Sequence, residues 1–400
     1  MRKIPTRTRV LNALLEPNVF PPRPVDEVFG ALVARAETAD GGSAEGDEDF
    51  LDGYRTVLHY YSDVPSMTPV GWQAVLDDLE LRIRNRLRVR RLIHDRPAIS
   101  DEPVGAPVLV VGLARTAAPI TREAIARSVG HRAPLLWEML YTDLEAPEKE
   151  RRRYIKAATQ HCKSVGRLSP HYRDLHRFEA ESPGDSSHLL RHGVHHLARA
   201  HMPGYLDRLA GHDWHGDYEH LKLVLQVLQH GRGDRRWILH SAAHLDHLPT
   251  IRDVFPDATV VWVHRDPVTV MGSVCSLAEA ATAVHVKDPD LHRIGATWLE
   301  LTAASIERAR AARLELPREA IVDVPYTQLQ ADPHGAMTAL YERLGTRSTG
   351  ADRANLEAAL SGPATGRSHE FDLARYGLTT DDVEGAFGDY TRTIDRLRLR

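Results

Sequence analysis

Four groups of residues in this chain have types and spacing that chemistry uses. The first is Leu113-Ala-Arg-Thr-Ala-Ala-Pro119, a short turn between an apolar run and a helical pattern. Strand, tight turn and helix in that order aim helix N-terminal amides at an anion. Arg115 within it could clamp an anionic group or pair with a nearby carboxylate. The second is His240-Ser-Ala-Ala-His244, which ends another apolar run. Imidazoles titrate near neutral pH and suit proton transfer. The third is Arg265-Asp266-Pro267, a cation at the end of a third apolar run. It also makes a sensible strand-to-helix turn, with Asp266 as the cap. The fourth is His188, His192, His195 and His196, at i, i+4 and i+3 spacing, which invites a metal reading. No His-Glu-x-x-His and no paired acidic ligand accompanies them, so solvated or core-polar imidazoles and no metal are expected.

The elements that must hold these residues can be read from periodicity. Pro107–Gly112 is a continuous β-branched run without polar alternation, the mark of a strand buried on both faces. Arg236–His240, Thr259–His264 and Ala320–Val324 are further strands, with helices over 119–129, 249–255, 333–344 and from Pro267 onward. Strands alternating with helices give an α/β domain with a central parallel sheet. Residues 145–232 read as mostly helical. So does 67–95, whose Arg82, Arg84, Arg86, Arg88, Arg90 and Arg91 suit a solvated face near a helix C-terminus. Residues 1–50 read as an N-terminal extension broken by Pro17, Pro21, Pro22 and Pro24, with the acidic, Gly-rich 38–49 as an exposed linker, and 51–400 as one α/β domain.

Composition narrows the function. With 42% apolar and 26% charged residues the chain can bury a sizeable core. A net charge of −4 gives no general attraction to nucleic acid or to a membrane. Cys162 and Cys275 cannot build a disulfide framework or a multi-cysteine metal site. No long apolar stretch follows the basic N-terminus, and no window approaches a membrane span, so with only two cysteines a cytoplasmic protein is expected.

Four segments together resemble the bacterial PAPS-dependent sulfotransferases. They are Pro107–Pro119 followed by Ala133–Glu138, Trp237–His244, Phe255–Pro267 running on to Ser273–Ser276, and Val324–Tyr326 with Asp332-Pro333. Their order and spacing match over roughly residues 55–395. The resemblance implies a P-loop-kinase-like sulfotransferase fold with a helical acceptor-pocket insert at about 134–232. Within that insert Trp137, Tyr141, Tyr154, His161, Tyr172 and Trp214 are candidate pocket residues. It further implies that Arg115, Thr116 and Ser241 face the donor, that Arg265 and Ser273 grip the 3′-phosphate of PAPS or PAP, and that Glu138 is a candidate general base. A looser likeness touches Gly366–Phe371 and Tyr376-Gly377-Leu378.

The chain departs from this family where the donor is held. The family loop reads Pro-Arg-Thr-Gly-Thr-Thr; here it reads Ala114-Arg-Thr-Ala-Ala-Pro119. The glycine is Ala117, one hydroxyl is lost at Ala118, and Pro119 lacks both a hydroxyl and an amide proton. Proline also favours the first helical turn, which preserves the helix but no phosphate ligand. The family lysine of the second segment is His240, so a permanent cation has become a titrating group. Three functions follow. A repurposed enzyme needs no cofactor and uses His240, His244, Glu138 and Arg115 for cyclisation, elimination, rearrangement or hydrolysis of a small organic substrate, in a setting such as bacterial specialised metabolism. A divergent sulfotransferase binds PAPS through Arg115, Thr116, Thr121 and a protonated His240. A non-catalytic binding protein keeps only the fold.

Overall fold

The computed structural model describes residues 4–19, 23–114, 116–143, 146–176, 178–360, 372–394 and 396–399. Arg115 and Gly366–Phe371 therefore lie outside the described residues. The chain divides into two compact units. One comprises residues 104–134, 232–276 and 290–400, the other residues 1–103, 135–231 and 277–289.

The first unit is built on five parallel strands: β1 (Val108–Val111), β2 (His131–Arg132), β3 (Arg236–His240), β4 (Thr259–His264) and β5 (Ile321–Pro325). Their order is β2-β3-β1-β4-β5. In register, Val110 lies beside His240 and Val261, and Val263 beside Val324. Val108 to Val111 are all fully buried, as their uninterrupted apolar run requires of a central strand. Each such side chain contributes about 1.5–3 kcal/mol of burial. β3 and β4 have the predicted bounds, because apolar runs begin and end there. β2 escaped prediction: it is two residues long, polar, and at the sheet edge.

The second unit is helical. Its longest helix, Pro69–Asp95, starts at Thr68, whose side chain accepts from the Gly71 amide at 2.9 Å. Val75, Leu79, Ile83 and Leu87 recur every fourth residue and are fully buried. The arginines of this helix are not a solvated face. Arg88 is 1% exposed and pairs with Asp40, to which Arg84 Nε also donates at 2.7 Å. Arg86 donates twice to Asp47, at 2.8 and 2.6 Å. Arg90 reaches the carbonyls of Ser43 and Glu45, each at 3.1 Å. Their partners lie in residues 40–47, so the segment expected to be an exposed linker is clamped onto the helix. A Cβ on Gly42 would sit 2.7 Å from the Leu87 carbonyl oxygen. The N-terminal helices Thr6–Val19 and Val25–Asp40 pack on the same long helix, so residues 1–50 are integral to this unit rather than a preface.

The helix Pro267–His285 has the length and apolarity of a membrane span, contrary to the sequence expectation, but 78% of its apolar window is buried within the fold. That makes it a core helix.

Candidate functional site

All five strands run the same way, so the turns after β1, β3 and β4 emerge at one edge of the sheet. Open parallel sheets hold ligands outside the carboxyl ends of their strands. Thr116, His240, Ser241, His244, Arg265 and Ser273 all belong to this sheet unit, and four of them stand in those turns.

The turn after β1 is tightly packed and offers few side-chain donors to a ligand. Gly112 has φ +152°, and a Cβ there would lie 2.5 Å from the Val263 carbonyl oxygen and 2.7 Å from Thr116 Oγ1. Ala117 precedes the helix Ala118–Ala126 with φ 69° and ψ 6°, the left-handed conformation that favours glycine. A methyl thus stands where the backbone makes none comfortable. The hydroxyls are spent on the loop itself: Thr116 donates to the Leu113 carbonyl at 2.8 Å and Thr121 to the Ala117 carbonyl at 3.2 Å. Ala117 and Ala118 have no side-chain donor, and Pro119 has no amide proton.

His240 ends β3 beside Val110. Its Nδ1 lies 2.8 Å from the Val110 carbonyl oxygen and must carry the proton, because a carbonyl only accepts. In the neutral ring, Nε2 is then the basic nitrogen. Fixing the tautomer through Nδ1 is how proteins orient an imidazole for proton transfer. Ser241 caps the turn Ala242–His247, its Oγ accepting from the Ala243 amide at 3.2 Å. His244, in that turn, is fully buried.

Beyond β4, Asp266 caps the long core helix by accepting from the amides of Val268 and Thr269 at 3.1 and 3.3 Å. Arg265 stacks over the Tyr326 ring at 4.2 Å. Two turns into the helix Ser273 is 2% exposed, and its Oγ is buried with no hydrogen-bond partner among the described residues. An unsatisfied buried hydroxyl costs stability unless something meets it. His264, between Trp262 and Arg265, is pinned on both nitrogens, by Tyr390 Oη at 2.9 Å and Asp323 Oδ1 at 2.9 Å. Burial disfavours charge on Asp323, but His264 and the Arg313 guanidinium outweigh it and hold the carboxyl at about 2.

Glu138 belongs to the helical unit. It is buried, and its Oε2 accepts from the Leu135 amide at 2.9 Å, capping its own helix Leu136–Leu140. A carboxylate so used has a structural task beside any catalytic one. Trp137, Tyr141, Tyr154, His161, Tyr172 and Trp214 lie in the same unit. Tyr141 and Tyr154 stack at 5.1 Å, with the Arg88 guanidinium over both rings.

The histidine group of 188–196 resolves into separate tasks. His192 Nδ1 meets Tyr205 Oη at 3.3 Å, and its ring is kept neutral down to about 3, chiefly by burial. Asp217, fully buried, takes His212 Nε2 at 2.8 Å, the Arg191 amide at 2.6 Å and Arg191 Nη2 at 3.1 Å. Among the described residues no three His, Cys, Asp or Glu side chains could share a metal ion. What sequence reading missed is the ion network beside them: Asp78 lies between Arg82 Nε at 3.2 Å and Arg199 Nη1 at 2.9 Å. The i, i+4 spacing of Asp78 and Arg82 was its visible trace.

The comparisons bear on this geometry. The sequence model of the Sulfotransferase family matches residues 107–349. The solved structure of sulfotransferase STF1 from Mycobacterium tuberculosis aligns with a TM-score of 0.79 at 26% identity, over 92% of this chain and 98% of that one. That of STF9 from Mycobacterium avium aligns with a TM-score of 0.80 at 24% identity, over 94% and 97%. A search of curated proteins finds no match. With the family match spanning more than half its length, the strand-turn-helix edge just described is that of a sulfotransferase-fold enzyme, and the chain belongs to the sulfotransferase family.

Proposed function

We propose that this chain acts on a small organic substrate by acid–base chemistry at His240 and does not depend on a sulfuryl donor. The observation that carries the proposal is the turn after β1. Between Leu113 and Thr121 the only two described side-chain hydroxyls both donate to backbone carbonyls, and the proline removes an amide. These residues do not fit the phosphosulfate end of PAPS. Hydrogen bonds to a charged group are worth about 1.5–3 kcal/mol each. The loss of two hydroxyls and one amide therefore weakens donor binding by roughly three orders of magnitude or more. In the same place the family's lysine gives way to an imidazole whose Nδ1–H is spent on Val110. Such a ring accepts a proton at Nε2 and returns it, which serves cyclisation, elimination, rearrangement or hydrolysis. His244, in the adjoining turn, is the second candidate for proton transfer, and Arg115 for holding an anionic group.

A divergent sulfotransferase is the second reading, and Ser273 favours it. Its hydroxyl is buried and has no hydrogen-bond partner among the described residues, and the resemblance implies that it and Arg265, ahead of the same helix, grip a 3′-phosphate. A hydrogen–deuterium exchange or turnover assay on candidate substrates separates the two through His240. His240→Lys restores the family cation and abolishes acid–base turnover under the first reading, while it raises PAPS-dependent sulfation under the second.

A further inference from the structure

The helix Thr6–Val19 is folded inside out. Thr8 and Asn12, one turn apart, are buried, while Val10, Leu11 and Leu14 on the outer side are 53%, 41% and 68% exposed. The polar side is the one that docks: Asn12 Oδ1 accepts from the Val70 amide at 2.9 Å, at the start of the long helix Pro69–Asp95. Among the described residues seven large apolar side chains are exposed, and three of them fall within these five positions. Singly exposed apolar residues need no explanation, but a cluster on a helix whose inner face is polar marks a surface made to be covered.

Charge identifies what covers it. Residues 1–19 contain Arg2, Lys3, Arg7 and Arg9 but a single acid, Glu16, whereas the whole chain has a net charge of −4. Glu16 is held by Lys287 Nζ at 2.6 Å, so its charge is already met. Arg7, one turn ahead of Val10 and Leu11, donates to the Arg167 carbonyl at 2.7 Å, a contact that leaves its charge unneutralised. Arg7, Arg9 and Arg167 are all exposed. A second copy of this chain is a poor occupant, because a two-fold contact sets the patch on itself and cations against cations. An anionic lipid surface suits both halves of the patch: its phosphates attract the arginines, and its acyl boundary takes the three apolar side chains.

We propose that this helix seats the protein on an anionic membrane surface, with Val10, Leu11 and Leu14 at the headgroup boundary and Arg7 and Arg9 on the lipid phosphates. The seat is peripheral and reversible, since three apolar side chains and a few cations make a weak anchor. It is independent of the chemistry assigned to His240.

Co-sedimentation of the full-length protein with vesicles is the test, one set made of phosphatidylcholine alone and the other of phosphatidylcholine with phosphatidylglycerol. The protein binds the anionic vesicles, binds the neutral ones at least ~10-fold more weakly, and is released by raised salt. Leu14→Ser weakens binding ~10-fold and Arg9→Ala about 5-fold, with unfolding midpoints unchanged because both side chains are exposed. No binding to the anionic vesicles, equal binding to both sets, or unchanged binding in Leu14→Ser overturns the proposal. So does a dimer in sedimentation velocity that Leu14→Asp dissociates, which would give the face to a second copy. Should the variants misfold, backbone amide exchange over residues 6–19 of the unmodified protein decides: it slows on anionic vesicles, and unchanged exchange overturns the site.

Discussion

Replacing Ala117 by glycine should stabilise this protein, although glycine in place of alanine ordinarily does the reverse. Ala117 has φ 69° and ψ 6°. That left-handed conformation costs an L-residue about 1–2 kcal/mol and costs glycine almost nothing. Against the gain stands the greater freedom of glycine in the unfolded chain, about 0.4–1 kcal/mol. The net is a stabilisation of about 0.5–1 kcal/mol. Unfolding entropy of about 2.1 cal/mol/K per residue makes that a rise of roughly 1 °C in the calorimetric midpoint for a chain of this length. The control is the next residue. Ala118 begins the helix, with ordinary helical geometry, so Ala118→Gly should lower stability by about 0.5–1 kcal/mol. The two substitutions are chemically identical, adjacent and opposite in sign. If both lower the midpoint alike, Ala117 is not held left-handed, and the claim that the loop frame outlived its ligands fails.

Other substitutions test other joints. Gly112→Ala should disrupt the same turn, because its Cβ meets the Val263 carbonyl at 2.5 Å; loss of soluble, cooperatively unfolding protein is the expected result. Asp217→Asn should cost about 3–5 kcal/mol in urea unfolding, since it strips Arg191 of its buried counter-charge and weakens the contact to His212. Burial pushes the Asp217 carboxyl up, but His212 and Arg191 outweigh this and hold it near 2, below the ordinary 3.8. Its contribution is therefore present above about pH 4 and lost as pH falls toward 2, and Asp217→Asn should flatten that limb of the stability curve. His188, kept neutral to about 4 mainly by burial, acts in a higher window: its contribution is present above about pH 6.5, is lost as pH falls toward 4, and His188→Asn should reduce that loss.

Much of this could be read from the chain, and the failures have physical causes. β3 and β4 were bounded correctly because a strand buried on both faces leaves no choice but a continuous apolar run. β2 left no such mark, its two residues being His131 and Arg132. The arginines after Arg82 and the segment 38–49 were misread together. Arg84, Arg86 and Arg88 look solvated until Asp40 and Asp47, some forty residues away, are folded against them, and those aspartates look like linker until the arginines arrive. Sequence periodicity carries no information about such long-range pairs. At the site, the lack of a hydroxyl at 117–119 and of an amide proton at Pro119 is plain in residue types alone. That Ala117 nonetheless keeps the glycine conformation, and that Thr116 and Thr121 turn their hydroxyls onto the loop, depends on backbone geometry. The task of Glu138 as a cap was equally hidden, because it depends on where its helix begins.

The central claim is that the donor loop has lost its ligands while keeping its fold. Calorimetric titration of the purified protein with PAP, beside an Ala117→Gly/Ala118→Thr/Pro119→Thr variant, tests it most directly. The account predicts no binding by the unmodified protein and measurable affinity in the repaired loop, with both proteins folded. Micromolar binding of PAP by the unmodified protein would contradict it.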